Sequence, residues 1–226
     1  MNLNALLQVS QAANAAQEAA GMSLFTMAAK GGWIMIPLLL LGMLTVYVFI
    51  ERLVLLKKAS QKDSTFMSKI KDYINEGKIE AALTLCKKTD TPYSRMIGKG
   101  VSRLGRPMND VMVAVENVGN LEVMKLEKGL SMLATVSGGA PLIGFLGTVV
   151  GTVQAFFKME SAGSNVDVTT LSGGIYTAMI STAGGLIVGL IAYFAYNYLT
   201  GRIGNVVSKM EAHSMEFMDI LNEPAN

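Results

Sequence analysis

The chain has 226 residues, 51% of them hydrophobic and only 16% charged, with a net charge of +2. Soluble domains carry roughly 25% charged residues. This chain has too little charged surface to enclose its long apolar segments, which excludes a soluble globular protein. Cys86 is the single cysteine, so an intramolecular disulfide is excluded and a reducing compartment fits.

Residues 1–30 have no basic n-region, and the apolar run Ala5–Leu7 is too short for a signal peptide. Alanines and polar residues alternate at helical spacing over Leu3–Ala20, which predicts a short amphipathic helix on the outer surface or a frayed tail. Three stretches then lack Asp, Glu, Lys, Arg and His entirely. They are residues 31–50, 129–157 and 168–201, which is 20, 29 and 34 residues. A helix needs about 20 apolar residues to cross a bilayer core of ~30 Å, so each stretch crosses once. The predicted segments are 31–53 for span one, 54–128 for a helical loop, 129–157 for span two, 158–170 for a short loop, 171–201 for span three and 202–226 for a helical tail.

Of the 19 Lys and Arg residues, 15 lie from Arg52 to Lys128, and Arg202 and Lys209 follow span three. Basic residues near span ends stay in the cytoplasm, so the N-terminus and residues 158–170 lie outside and residues 54–128 and 202–226 inside. Trp33 at the outer start of span one, and Tyr196 and Tyr198 near the inner end of span three, fit the interfacial aromatic belts.

The inner region reads as helices throughout. Phe66, Ile70, Tyr73 and Ile74 keep helical spacing until Gly77, and Ile79–Cys86 forms a second short helix. Thr91 and Pro92 read as an N-cap with proline at the first helical position, opening a helix that Gly105 closes. From Pro107 onward the pattern predicts one helix running unbroken into span two, about 75 Å from Met108 to Phe157 at ~1.5 Å per residue. Glu116, Glu122 and Glu127 read as helix-surface charges beside Lys125 and Lys128. His213, the only histidine, reads as a solvated residue.

No nucleotide loop, zinc spacing or nucleophile constellation is present, and nothing points to nucleic acid, so the protein is expected not to be an enzyme and to have the lipid bilayer as its environment. Spans two and three are rich in Gly, Ala, Ser and Thr, whereas span one is Leu, Ile, Met and Val, as in a lipid-facing anchor. Gly147 and Gly151 form G-x-x-x-G, as do Gly185 and Gly189, a spacing that permits close helix packing. Pro141 removes a hydrogen bond to the Ser137 carbonyl and bends span two. Thr148 and Thr152 share one helix face, and Thr177 and Ser181 another, with Thr182 about 100° round from Ser181. These hydroxyls either bond carbonyls of their own helix or line a polar pore. No span holds a carboxylate or histidine, so a proton relay would lack its acid unless a partner supplied it.

The span-two string GAPLIGFLGTVVGTVQAF, from Gly139 to Phe156, resembles the A-P-L-L-G-L-L-G-T-V-x-G-x-x-x-A-F signature of the MotA/TolQ/ExbB proton-channel family. The span-three string STAGGL from Ser181 resembles that family's A-T-A-x-G-L, and three spans with a large loop after the first resemble its ExbB/TolQ branch. The resemblance implies an all-α membrane protein with long helices extending into the cytoplasm, assembled as a homopentamer around a central pore in a bacterial inner membrane. It implies two copies of an ExbD/TolR-like single-span partner carrying a membrane aspartate, and no cofactor. The ion moved would be H⁺, or Na⁺ held by hydroxyl oxygens. The work would go to a TonB-like protein and outer-membrane uptake, or, in the TolQ branch, to envelope integrity. By position, Thr148 and Thr182 match the family's pore threonines and Pro141 its span-two proline. Thr177 stands where ExbB proteins carry a glutamate.

Overall fold

The computed structural model describes residues 31–60, 65–162 and 168–222, without the side chains of 162 and 168–171. The helix expected over Leu3–Ala20 falls outside these residues, as do residues 163–167 of the loop expected over 158–170; the described ends of that loop, 158–162 and 168–170, are helical instead. Among the described residues seven helices follow one another: α1 (Met35–Ala59), α2 (Phe66–Asn75), α3 (Ile79–Thr89), α4 (Pro92–Val101), α5 (Met108–Glu127), α6 (Leu130–Ala162) and α7 (Val168–Asn222). Three helical stretches are long and apolar enough to cross a membrane, and they contain α1, α6 and α7.

The chain divides into two compact units, and α1, α6 and α7 contribute residues to both. The first unit comprises residues 1–44 and 135–193. Its core joins Ile34, Met35 and Leu38 of the first span region to Val136 and Ala140 of α6 and Ala192 of α7. Ile36, Leu39, Leu40 and Met43 of α1 point outward, as do Leu142, Phe145, Leu146 and Phe156 of α6. An outward apolar face of this size suits lipid or neighbouring subunits rather than water.

The second unit comprises residues 45–134 and 194–226. Its interior holds Phe66 and Ile70 of α2, Ala82 and Cys86 of α3, Tyr93, Met96 and Ile97 of α4, Val111 and Val115 of α5, and Phe217 near the end of α7. Glycines make room for these contacts. A Cβ on Gly98 would lie 3.1 Å from Cys86 Cβ, and one on Gly100 would collide with the Phe217 ring and Val115. Burial pushes the Cys86 thiol up to about 11. Thr91 caps α4 as the sequence predicts: its hydroxyl accepts from the Ser94 amide, and Ser94 Oγ accepts from the Thr91 amide at 2.9 Å. Gly77 takes positive φ and ends α2, whereas α4 ends earlier than expected, at Val101, and Gly105 takes positive φ in the turn that follows.

The expected unbroken helix from Met108 into span two is interrupted. Lys128 is extended (ψ 128°) and Gly129 has φ +88°, a conformation that L-residues rarely adopt. Here α1 comes closest: a Cβ on Gly129 would lie 3.3 Å from Val48 Cγ1 and 3.5 Å from Arg52 Nε. Arg52 also donates to the Lys125 carbonyl at 3.2 Å, satisfying one of the carbonyls that the end of α5 leaves open.

Two charged residues differ from their surface reading. Glu122 is only 3% exposed, and its carboxylate accepts from Arg95 at 2.6 Å and from Lys125 at 2.7 Å. Burial alone would raise its pKa, but the bonds from Arg95 and Lys125 outweigh it and hold the carboxyl below its ordinary range. Arg95 extends the network to Asp90, which also bonds Lys58 at 3.1 Å; Lys58 and Arg95 hold Asp90 below the ordinary carboxylate range too. His213 is partly covered, its ring 4.8 Å from that of Tyr93, with Nδ1 3.3 Å from Glu216. A carboxylate with a lowered folded-state pKa contributes stability above its unfolded pKa, and that contribution is lost as the pH falls through the folded value. Glu122→Gln should therefore destabilise the folded chain by about 1–3 kcal/mol at neutral pH. It should also flatten the loss of stability below about pH 4.3, near the unfolded glutamate value. Thermal unfolding followed by circular dichroism across pH checks both.

Candidate functional site: the seam between α6 and α7

Helices α6 and α7 meet along a seam of small residues in the first unit. Beginning at the α7 N-terminal end, Gly174 faces Ala155, Ala178 faces Gly151, Ser181 faces Gly147, Gly185 faces Gly144 and Ala140, and Gly189 faces Pro141. These contacts leave no room for a side-chain atom. A Cβ on Gly185 would lie 2.6 Å from the Ala140 carbonyl oxygen and 2.8 Å from Gly144 Cα, and one on Gly144 would lie 2.8 Å from the Ser181 carbonyl oxygen. Lipid tails are as apolar as the helices, so close van der Waals approach replaces the hydrophobic effect in holding such helices together. Both G-x-x-x-G pairs lie on the seam. Gly144, Gly174, Ala140, Ala155 and Ala178 belong to it as well, and their signal is a small residue every three or four positions along both spans.

α6 continues as helix through Pro141, whose ring seats over Gly189. The Ser137 carbonyl, which proline cannot bond, also faces this glycine: a Cβ there would lie 3.1 Å from the oxygen.

The hydroxyls divide into two kinds. Thr152 bonds its own helix, donating toward the carbonyls of Thr148 (2.8 Å) and Val149 (3.0 Å). Ser181 does likewise, donating to the Ala178 carbonyl at 2.7 Å, and is only 2% exposed within the chain. Thr148 and Thr182 cross the seam instead. Thr148 Oγ1 lies 3.1 Å from the Ala178 carbonyl of α7, and Thr182 Oγ1 lies 3.1 Å from the Gly144 carbonyl of α6. Each threonine thus reaches the carbonyl that the other would take four residues back in its own helix. The two hydroxyl oxygens also touch each other in a short hydrogen bond. Both residues are half-buried. Thr177 is half-buried too and lies beside Gly32 rather than in the pair.

The chemistry of the pair follows from counting protons. Two hydroxyl protons serve three contacts, so one contact at any time has no proton, and the pair has more than one proton arrangement. Four oxygens converge: two hydroxyls and the carbonyls of Gly144 and Ala178. Such a set can accept a hydrogen bond from an incoming acid or ligate a hard cation, but it holds no titratable group that could carry a proton itself.

The profile of the MotA/TolQ/ExbB proton channel family matches residues 88–212, more than half of the chain. The chain belongs to this family. It is a multi-pass membrane protein of a channel family, not of an enzyme class. It is 28% identical to an ExbB homolog of biopolymer transport from Methanothermobacter thermautotrophicus over 80% of this chain and 64% of that protein. It is 36% identical to the biopolymer transport protein ExbB of Xanthomonas campestris over 43% of this chain and 38% of that protein. It is 34% identical to the Tol-Pal system protein TolQ of Haemophilus influenzae over half of each chain. The matches thus span less than two thirds of these relatives.

Because Gly185 meets α6 backbone atoms, Gly185→Val should separate the two helices and destabilise the protein by about 1–3 kcal/mol or more. Gly204→Ala, with nothing within 4 Å of its added Cβ, should leave stability unchanged or slightly raised. Heat-induced unfolding of the detergent-purified variants checks the contrast.

Proposed function

We propose that this protein is the ExbB-type subunit of an ion-driven motor in a bacterial inner membrane. With an ExbD/TolR-like partner, it would use ion flow to energise TonB-dependent transport across the outer membrane. The observation that carries this reading is the crossed Thr148–Thr182 pair, set in apolar helices whose charge-free stretches contain no acid of their own. The family membership and the ExbB names of the relatives support it. The charge distribution supports an N-terminus outside and residues 54–128 inside.

In this account five copies surround a central pore, and α6 and α7 of each face it. The single spans of two partner copies occupy the pore, and the partner's membrane aspartate takes up and releases the ion beside Thr148 and Thr182. Thr152 and Thr177 extend the hydroxyl path, while Ser181 with Gly147, Gly151, Gly185 and Gly189 sets its wall. The translocated ion is H⁺, and Na⁺ is the alternative that a ring of oxygens allows. Thr177, with its neutral side chain, leaves the whole acid function to the partner. The similarity to TolQ supports a second reading of the same motor, in which it serves envelope integrity.

Thr182→Val removes the crossing hydroxyl and keeps the shape. It should abolish energised uptake, lowering it at least tenfold, while a five-to-two complex with the partner persists in native mass spectrometry. Thr182→Ser should retain activity. Full uptake by the valine variant would exclude the pair from the ion path. A scaffold role would instead leave hydroxyl variants active and make Gly147→Leu fatal to assembly.

A further inference from the structure

The second unit contains a cavity of about 830 Å³ between the C-terminal part of α1 and the middle of α7. Its lining changes character along both helices in the same direction. Leu53 and Leu56 of α1 and Tyr198 and Leu199 of α7 come first, then Lys57 and Arg202, then Ser60, Asn205, Ser208 and Lys209. Arg202 is the first charge after the apolar run of α7. Its guanidinium lies 5.6 Å from the Tyr198 ring centroid and donates to the Tyr198 hydroxyl at 3.2 Å. Lys209 donates to Ser60 at 3.3 Å, linking the two helices across the polar end. The lining holds three cations and no carboxylate, and none of the three cations pairs with an acid among the described residues.

We infer that this cavity binds one anionic phospholipid of the inner leaflet. The phosphodiester would be held by Lys57, Arg202 and Lys209, and an acyl chain would lie along Leu53, Leu56 and Leu199. Three observations favour a lipid over another occupant. Arg202 follows directly on the charge-free run of α7, where headgroups lie, and Lys57 follows the apolar stretch Leu53–Leu56 of α1. The groove is apolar at the membrane end and cationic at the other, matching a lipid's own polarity. Basic pockets between spans on the cytoplasmic side recognise anionic headgroups, and aromatic residues favour that level. The inference rests on the inside placement of residues 54–128 and 202–226 given under Proposed function. Its readout needs neither ion flow nor a partner, so it can fail while that reading stands.

The test is native mass spectrometry of the full-length, delipidated protein titrated with phosphatidylglycerol, phosphatidylcholine or inorganic phosphate. Phosphatidylglycerol should bind at least tenfold tighter than phosphatidylcholine. Each basic residue near an anionic headgroup is worth roughly a fivefold gain. Replacing Lys57, Arg202 and Lys209 together by Gln should therefore weaken phosphatidylglycerol on the order of a hundredfold. Removing the same charge elsewhere, with K87Q, K88Q and K99Q, should change nothing. Lys57 bonds no described residue, so Lys57→Gln alone should fold normally and bind about fivefold more weakly. Equal binding of the two lipids, or an unchanged affinity in Lys57→Gln and the triple variant, would overturn the proposal. Inorganic phosphate competing as strongly as the lipid would reduce the site to a free-anion site and overturn it as well. Loss of subunit association in the triple variant, without any lipid preference in the parent, would assign the groove to a neighbouring copy instead.

Discussion

The first unit depends on how closely two backbones can approach inside a bilayer. Along the α6–α7 seam, glycine and alanine recur every three or four residues on both helices, and the gap between the chains admits no further carbon atom. Close packing, with the hydrogen bonds of Thr148 and Thr182 across the seam, holds these helices, because burial of apolar surface against apolar lipid gains little. The approach also sets the chemistry. Only helices this close let Thr148 and Thr182 reach across to the carbonyls of Ala178 and Gly144, and only a glycine at 189 admits the Pro141 ring and the Ser137 carbonyl. α1 then covers part of the seam, with Ile34, Met35 and Leu38 packed on Val136, Ala140 and Ala192.

The seam offers oxygen atoms without acidity. A hydroxyl pair with two protons and three contacts can rearrange its hydrogen bonds at little cost, and its carbonyls can turn toward a cation or a protonated acid. It cannot store a proton, since no titratable side chain lies in the charge-free stretches. In the proposed function the pair is half of a relay, and the partner aspartate is the other half. The second unit adds a charged network to an apolar interior. Glu122, buried between Arg95 and Lys125, and Asp90, between Lys58 and Arg95, tie α1, α3, α4 and α5 together. Breaking a partner of buried Glu122 costs more than the pair itself contributes, whereas the exposed Lys58–Asp90 pair contributes little.

The parts legible from the sequence are those written in local rules. Charge-free runs marked the spans, Thr91 with Pro92 marked the start of α4, and Gly77 marked the end of α2, while α4 stopped at Val101, short of Gly105. Gly129 escaped because a lone glycine within a helical pattern is ordinarily tolerated, and its positive φ breaks the helix where the apolar spacing continues. Glu122 was read as a surface charge because its burial comes from Arg95, 27 residues away, on another helix. The hydroxyl stripes were visible, yet which of them bond their own helix depends on how α6 and α7 are rotated about each other. Thr152 and Ser181 turned inward to their own carbonyls, while Thr148 and Thr182 crossed, and sequence spacing alone treats the four alike.

The central claim is that this chain supplies the oxygen-lined wall of an ion path and a partner supplies its acid. Proton flux into liposomes under an imposed membrane potential tests it most directly, with this chain reconstituted alone and then together with its single-span partner. The account predicts no flux above the lipid background from the chain alone and clear flux from the complex. Comparable flux from the chain alone would contradict it.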